Sequence, residues 1–264
     1  MKLLRRLFTF LTTAAVATLA GTAAPALAAD TQFSLLVLAM PTKYHYEYIP
    51  VARESFERLS RLHAFELTWA ATPQALEGDL SKYAAVVLLN SSGEEFNEAQ
   101  RASFERYMRG GGNAVIVHRA IISAPGKWPW YEKLVGRSFR IHPILQTAVV
   151  NKRDPSHPAT FGLPDHWIWS DEWYEFDNPH QVAIRPLLAV DERSYDPHKI
   201  WPGQVANGMG ADHPVSWTHS YEKGRVFVTA LGHNAETYKE PQYLAHLWGG
   251  IWWSATGLGG QAAR

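Results

Sequence analysis

The 264-residue sequence contains no cysteine, which excludes disulfides, Fe–S clusters, thiolate metal ligands and every cysteine nucleophile. Its 25 basic and 25 acidic residues balance, and taking the three basic residues of an N-terminal leader from the 25 leaves 22 basic. Such a patternless surface has no electrostatic bias toward nucleic acid or an anionic membrane.

Lys2, Arg5 and Arg6 precede an apolar run from Leu7 to about Ala20, and Ala26-Leu27-Ala28 offers small residues for cleavage. This is the layout of a secretory signal peptide over residues 1–29. Arg5-Arg6-Leu7-Phe8 partly matches a twin-arginine signal, so the route, Sec or Tat, stays open, and the mature chain is expected in the periplasm or outside the cell. No later stretch is long and apolar enough to cross a bilayer, so no stable membrane insertion is expected after cleavage. Residues 30–264, roughly 235 in number, fit a single α/β domain with a full core.

Phe33 to Met40 is a near-continuous apolar run, the pattern of a buried parallel strand ending at Pro41. The loop from Thr42 to Tyr48 is dense in polar aromatics and carries His45; a helical pattern follows from about Ile49 to Leu62. Phe65 to Trp69 alternates as a strand, and Ala85 to Leu89 is a second buried run. Ser92 and Glu95 read as a capping box opening a helix to about Arg109. Gly110-Gly111-Gly112 stops that helix, and Ala114 to Val117 forms a short strand with His118 at its carboxyl end, where open α/β sheets place their ligand crevice.

The second half is more irregular. Trp128 to Gly136 reads as a short helix closed by glycine, with a strand near Gln146 to Val150. Pro155, Pro158, Pro164, Pro179 and Pro186 force long loops, and Pro186 inside the apparent strand Val182 to Val190 predicts an edge or a bulge. Val215 to His219 and Arg225 to Ala230 read as a β-hairpin, and a final helix starts near Pro241. The alternation predicts an α/β, doubly wound, mostly parallel sheet with a β-hairpin and long loops in the second half. Eleven tryptophans are anomalous. Trp128, Trp130, Trp201 and the group Trp167, Trp169, Trp173 fall in turn-like sequence, where an indole serves either the core or a sugar ring.

Seven ordered motifs carry a family resemblance: Gly110-Gly111-Gly112 through His118; Trp130-Tyr131 with Leu134-Val135-Gly136 and Phe139; His142-Pro143; His157-Pro158 with Leu163-Pro164; Asp171-Glu172-Trp173-Tyr174; Asp212 to Trp217; and Lys223-Gly224 through His233. Over roughly residues 33 to 257 the chain resembles the ThuA-like, or trehalose-utilization, proteins, whose fold is similar to that of class I glutamine amidotransferases and flavodoxin-like three-layer proteins. The resemblance implies sugar handling, in particular catabolism of trehalose-like disaccharides through 3-keto intermediates. It does not extend to glutaminase activity, since the elbow that carries the amidotransferase cysteine has no thiol and Arg119 follows His118.

The polar groups at strand ends or in long loops are His45, His118, His142, Asp171, Glu172, Tyr174, Asp212, His213 and His233. Three uses of such a set stay open: an acid/base pair, a divalent metal site of the zinc class, or recognition of a sugar without turnover. His118, Glu172, His213 and His233 are the catalytic candidates, and His45, His142, Asp171, Tyr174, Asp212 and Trp217 the substrate-binding ones. His45, His118 and His233 are the candidates for metal. His142, His157 and His213 each precede proline, where a loop histidine satisfied by backbone is the competing reading. The expected partner is a small-molecule sugar. A glycoside- or keto-sugar-processing hydrolase or lyase, a non-catalytic carbohydrate-binding protein, a partner of a sugar oxidoreductase and a homo-oligomer all remain compatible with the chain.

Overall fold

The apolar runs become strands buried on both faces, because helices cover each side of the sheet. The computed structural model describes residues 30–42, 44–123, 126–177 and 182–259; the leader, Pro179 and His180 lie outside the described residues. In chain order the elements are β1 (Ser34–Ala39), α1 (Ile49–His63), β2 (Glu66–Ala70), β3 (Ala85–Leu89), α2 (Glu98–Arg109), β4 (Ala114–Val117) and α3 (Pro129–Val135). They continue with β5 (Ser138–Ile141), β6 (Gln146–Lys152), β7 (His166–Asp171), β8 (Glu175–Asp177), β9 (Arg185–Asp191), β10 (Pro214–Tyr221), β11 (Gly224–Thr229) and α4 (Pro241–Thr256).

Among the described residues a nine-stranded sheet runs β2-β1-β3-β4-β11-β10-β9-β6-β7, and β5 pairs with β8 in a separate ribbon. β2, β1, β3, β4 and β11 are mutually parallel, and the hairpin β10–β11 starts an antiparallel half. The period of two divides the strands between two cores. Leu35, Val37, Val115 and Phe227 face α1 and α4, whereas Leu36, Leu38, Ile116 and Val228 face α2 and α3. This is the doubly wound α/β arrangement that the alternating pattern predicts.

Two expectations need correction, and the edge-or-bulge reading of Pro186 resolves to the bulge. The Ser92–Glu95 capping box exists, but it closes a single 3-10 turn. Phe96 is extended and buried, and Asn97 caps α2 afresh with Gln100. β9 is not an edge strand: it lies between β10 and β6, and the register with β10 shifts beside Pro186, so a bulge absorbs the missing N–H. Trp167 and Trp169 are not in a turn but on β7, and Trp128, Trp167 and Trp173 are core residues.

Buried histidines make this fold acid-sensitive. His246 donates through Nδ1 to the Ala159 carbonyl at 2.7 Å and faces the Thr229 hydroxyl with Nε2 at 3.2 Å, tying α4 to the sheet. Burial pushes its imidazole down to about 4, and it does the same to His157 and His219. In an unfolded chain these rings titrate near about 6.5, so as pH falls the unfolded state takes up protons first. Their stabilisation is full above about pH 6.5 and is lost as pH falls toward 4; for the fully buried His246 it is on the order of 3 kcal/mol. We expect the denaturation midpoint, followed by circular dichroism, to drop steadily across that window, with a shallower slope in His246→Asn.

Candidate active site at the carboxyl edge of the sheet

Strand direction brings the polar loops together. His45 follows β1, His118 follows β4 and His233 follows β11, so all three leave the carboxyl edge of the parallel half. From β11 to β7 four antiparallel pairings reverse the chain four times, so β7 again points up and Glu172 emerges at the same edge. In a flat sheet four strand spacings would separate these ends by about 19 Å. Instead Asp171 Oδ2 accepts the Gly232 N–H at 2.9 Å and Oδ1 accepts the His233 N–H at 3.3 Å. The end of β7 and the loop after β11 therefore meet across that span, and their seam at Asp171 closes the site.

The backbone at the site is strained. His45 and His118 have φ of +62° and +50°, a region that non-glycine residues enter rarely and at a cost of roughly 1–3 kcal/mol each. The φ of +127° at Gly232 requires glycine, and a Cβ there would lie 2.6 Å from the Tyr243 hydroxyl.

Glu172 is the hub, buried with its Oε2 lacking any hydrogen-bond partner among the described residues. His118 Nε2 and His142 Nε2 each lie 3.5 Å from that oxygen, and His233 Nδ1 lies 3.2 Å from Oε1. Because a carbonyl can only accept, His118 Nδ1–H donates to Ala230 O at 2.7 Å and His142 Nδ1–H donates to Pro143 O at 2.9 Å. In the neutral rings both Nε2 lone pairs then point at the carboxylate, and the Tyr174 hydroxyl is 3.1 Å from His118 Nε2. The His45 ring stands edge-on to His118 and His233, with centroids 5.1 and 4.8 Å away.

The electrostatics follow from burial and these neighbours. Burial opposes the Glu172 charge, but His118 and His233 outweigh it and hold the carboxyl well below the usual range. Burial also disfavours a charged His118, yet Glu172 and Asp171 raise its pKa above the ordinary value. Burial, assisted by His118, pushes His45 down to about 3, and burial lowers His142 despite Glu172. Burial raises Asp171, and burial with the Glu172 charge keeps the Tyr174 phenol protonated.

A cleft of about 480 Å³ opens onto this cluster, lined by Tyr44, His45, Tyr48, Glu172, His233 and Asn234. Trp201, 46% exposed, meets His142 edge-on at 5.2 Å and presents an indole face beside it.

Seven of the sequence candidates thus converge: His45, His118, His142, Glu172, Tyr174 and His233 around the cleft, with Asp171 bracing them from behind. Three do not join them. His213 is buried, with Nε2–H donating to the Tyr174 carbonyl at 2.9 Å and Nδ1 beside Tyr195 and Glu192, so it supports the backbone of the site. Trp217 is fully buried, bonded through Nε1 to Val135 O, and has no face for a ligand. Asp212 is exposed and acts electrostatically on Arg137. His157, before proline, is held locally through Nδ1, which accepts the Ala159 N–H at 3.1 Å, while its buried Nε2 has no hydrogen-bond partner among the described residues. Tyr48 and Asn234 were missed as lining residues; for Tyr48 the aromatic density of its loop was the available signal.

The sequence matches the ThuA family, described as trehalose utilisation, over residues 34–254. A ThuA-like protein from Bacteroides uniformis ATCC 8492 superposes with a TM-score of 0.74 at 23% identity, covering 88% of this chain and 95% of that one. A ThuA-like protein from Parabacteroides merdae ATCC 43184 gives 0.69 at 23% identity, covering 88% and 92%. A β-galactosidase from Rahnella sp. R3 gives 0.53 at 12% identity, covering 84% of this chain and 31% of that one. At these identities the likeness is one of fold. No curated protein matches the chain.

Proposed function

The chain belongs to the ThuA trehalose-utilisation family, and on that footing we propose that it is an exported enzyme of carbohydrate catabolism whose reaction centre is the Glu172 cluster. Its substrates are trehalose-like disaccharides or their 3-keto-glycosides. The observation that carries this reading is the buried Glu172 carboxylate, faced by His118, His142 and His233 on an open cleft. A binding site alone has no need to collect so many titratable groups around one unsatisfied oxygen. The leader at residues 1–29 supports the exported location.

On a 3-keto-glycoside these groups support elimination. A base takes the proton from the carbon between the keto group and the anomeric carbon, the glycosidic C–O bond breaks, and a C=C bond forms as the departing oxygen receives a proton. His142, kept neutral by burial and with Nδ1–H held by Pro143, offers Nε2 as the acceptor. The His142 imidazolium so formed hands that proton on to the leaving oxygen, while His233, one-quarter exposed, lines the cleft beside it. The protonated Tyr174 phenol donates a hydrogen bond, and Trp201 stacks on the sugar at the rim.

Calorimetry and product analysis with trehalose, sucrose, their 3-keto forms and simple glucosides test this directly. Turnover of one of these classes is expected; full turnover in a His118→Ala, His233→Ala double variant would overturn the site, and binding without product would make the protein a carbohydrate-binding module. Trp201→Ala should raise KM by about tenfold with kcat unchanged, the worth of one lost stacking contact.

A further inference from the structure

Two features of the cluster have no role in sugar binding. The first is a pair of adjacent buried carboxylates. Asp171 is fully buried and Glu172 is 7% exposed, and they are neighbours in sequence. Arg119, whose charge reaches this region, is paired with Glu95 at 2.8 Å. One of these two buried carboxylates is ringed by imidazole nitrogens of His118, His142 and His233 at 3.2 to 3.5 Å, a dense cluster of ligand-type groups. The second is a set of donor atoms aimed at one another. Glu172 Oε2 and His233 Nδ1 are both buried without a hydrogen-bond partner among the described residues, and in its neutral form His118 presents an unprotonated Nε2 3.5 Å from the same oxygen and 3.1 Å from the Tyr174 hydroxyl.

We propose that His45, His118, His233 and Glu172 hold a divalent first-row transition-metal ion, with zinc as the best fit. One donor atom from each residue lies within 4.8 Å of all the others. Tetrahedral coordination with bonds of about 2.0–2.1 Å places ligand atoms about 3.4 Å apart. The His118 Nε2 to Glu172 Oε2 distance is 3.5 Å and the His233 Nδ1 to Glu172 Oε1 distance is 3.2 Å. Three imidazoles and one carboxylate, without thiolate, select Zn²⁺, Co²⁺, Ni²⁺ or Mn²⁺ over the oxygen-preferring Ca²⁺ and Mg²⁺.

The surroundings have the form of a metal site's outer shell. The Ala230 carbonyl fixes the His118 tautomer by accepting from Nδ1, which leaves Nε2 as the ligand. Asp171 holds the backbone N–H of both Glu172 and His233, so one buried carboxylate sets the position of two ligands. The left-handed backbone of His45 and His118 is the local cost of turning two imidazoles inward from two different loops. His142 remains outside the ligand set, so the proton acceptor of the proposed elimination is preserved. An ion here would polarise the keto oxygen of a bound sugar.

This inference deepens the proposed function by naming the cofactor of the same site, but its test does not depend on turnover. Full-length protein is purified without a histidine tag, assayed by elemental analysis, stripped with a chelator and titrated with Zn²⁺ by calorimetry; Co²⁺ is followed by visible absorption. One ion per chain, a rise in the unfolding midpoint of about 5 °C or more on reloading, and a tetrahedral Co²⁺ spectrum are expected. The spectrum should vanish in His118→Ala and in the isosteric Glu172→Gln, and persist in His166→Ala, whose ring is exposed on β7. Should an alanine variant fail to fold, Glu172→Gln and the wild-type stoichiometry decide. Sub-stoichiometric zinc with no thermal shift, or one-to-one binding that survives both substitutions, would overturn the metal site while leaving the sugar reading to its own assay. Metal binding without turnover of any sugar would have the opposite effect.

Discussion

Glu172→Gln is expected to lower kcat/KM on the best glycoside substrate by about 10²- to 10⁴-fold, the range lost when a charged group at a reaction centre is neutralised. Shape and volume are conserved, so packing around Trp173 and Tyr174 is retained. What disappears is the negative charge that both oxygens present to His118, His142 and His233 at 3.2 to 3.5 Å. His118 then loses the neighbour that raises its pKa, and the amide offers N–H where a donor already stands or where an ion requires a charged oxygen. The unfolding midpoint of the protein without added metal should fall by about a few degrees, because the charge removed is one that His118 and His233 stabilise in the fold, although Oε2 has no hydrogen-bond partner among the described residues. Steady-state kinetics beside thermal melts check both halves. A loss of activity below about tenfold would remove Glu172 from the centre of the reaction.

Asp171→Ala should do the reverse, damaging the fold first and the activity through it. This carboxylate, fully buried, accepts from the Trp169 indole at 3.1 Å and from the backbone N–H groups of Glu172, Gly232 and His233 at 3.0, 2.9 and 3.3 Å. Truncation leaves four donors unpaired, two of them in buried contacts and two in partly buried ones, at the seam where β7 meets the loop after β11. A loss on the order of 3–5 kcal/mol is expected, or roughly 10 °C in the midpoint for a domain of this size. Glu172 and His233 lose their common brace, so the surviving folded enzyme should also turn over slowly. Burial already raises the Asp171 pKa, so the stabilisation lies in the satisfied donors rather than in the charge. Asp171→Asn keeps two lone pairs but turns an N–H toward a donor, and should fall between wild type and alanine. Chemical denaturation measures the series; a change below about 1 kcal/mol for alanine would show that the seam is held by packing alone.

Local pattern carried much of this molecule. Continuous apolar runs identify β1, β3 and β4 because strands covered on both faces have no polar side, and the glycines after α2 and α3 mark helix ends because only they relax into those turns. A histidine at the end of a buried run is a site candidate for the same reason: His118 and His233 stand where the sheet stops and a cleft can open. Other sequence expectations came out differently because their outcome depended on contacts. Asp212-His213 and Asp171-Glu172 look alike as acid-containing pairs in proline-rich surroundings, yet one braces a backbone and the other is the hub. Trp217 and Trp201 are equally plausible sugar platforms by composition, and one is fully buried while the other stands at the rim.

The sequence by itself determined the alternation of strands and helices, the direction of the parallel half, the absence of thiol chemistry and the pool of histidines and carboxylates. All of these are encoded in residue type and short spacing. Only the tertiary structure decided which of that pool meet. Glu172 lies four strands away from His233 in the sheet order, and what brings them to 3.2 Å is the loop after β11 reaching the end of β7 at the Asp171 seam. Where such a loop lands depends on the twist and packing of the whole sheet. No local spacing records it, and so the set of candidates was legible in the chain while the site was not.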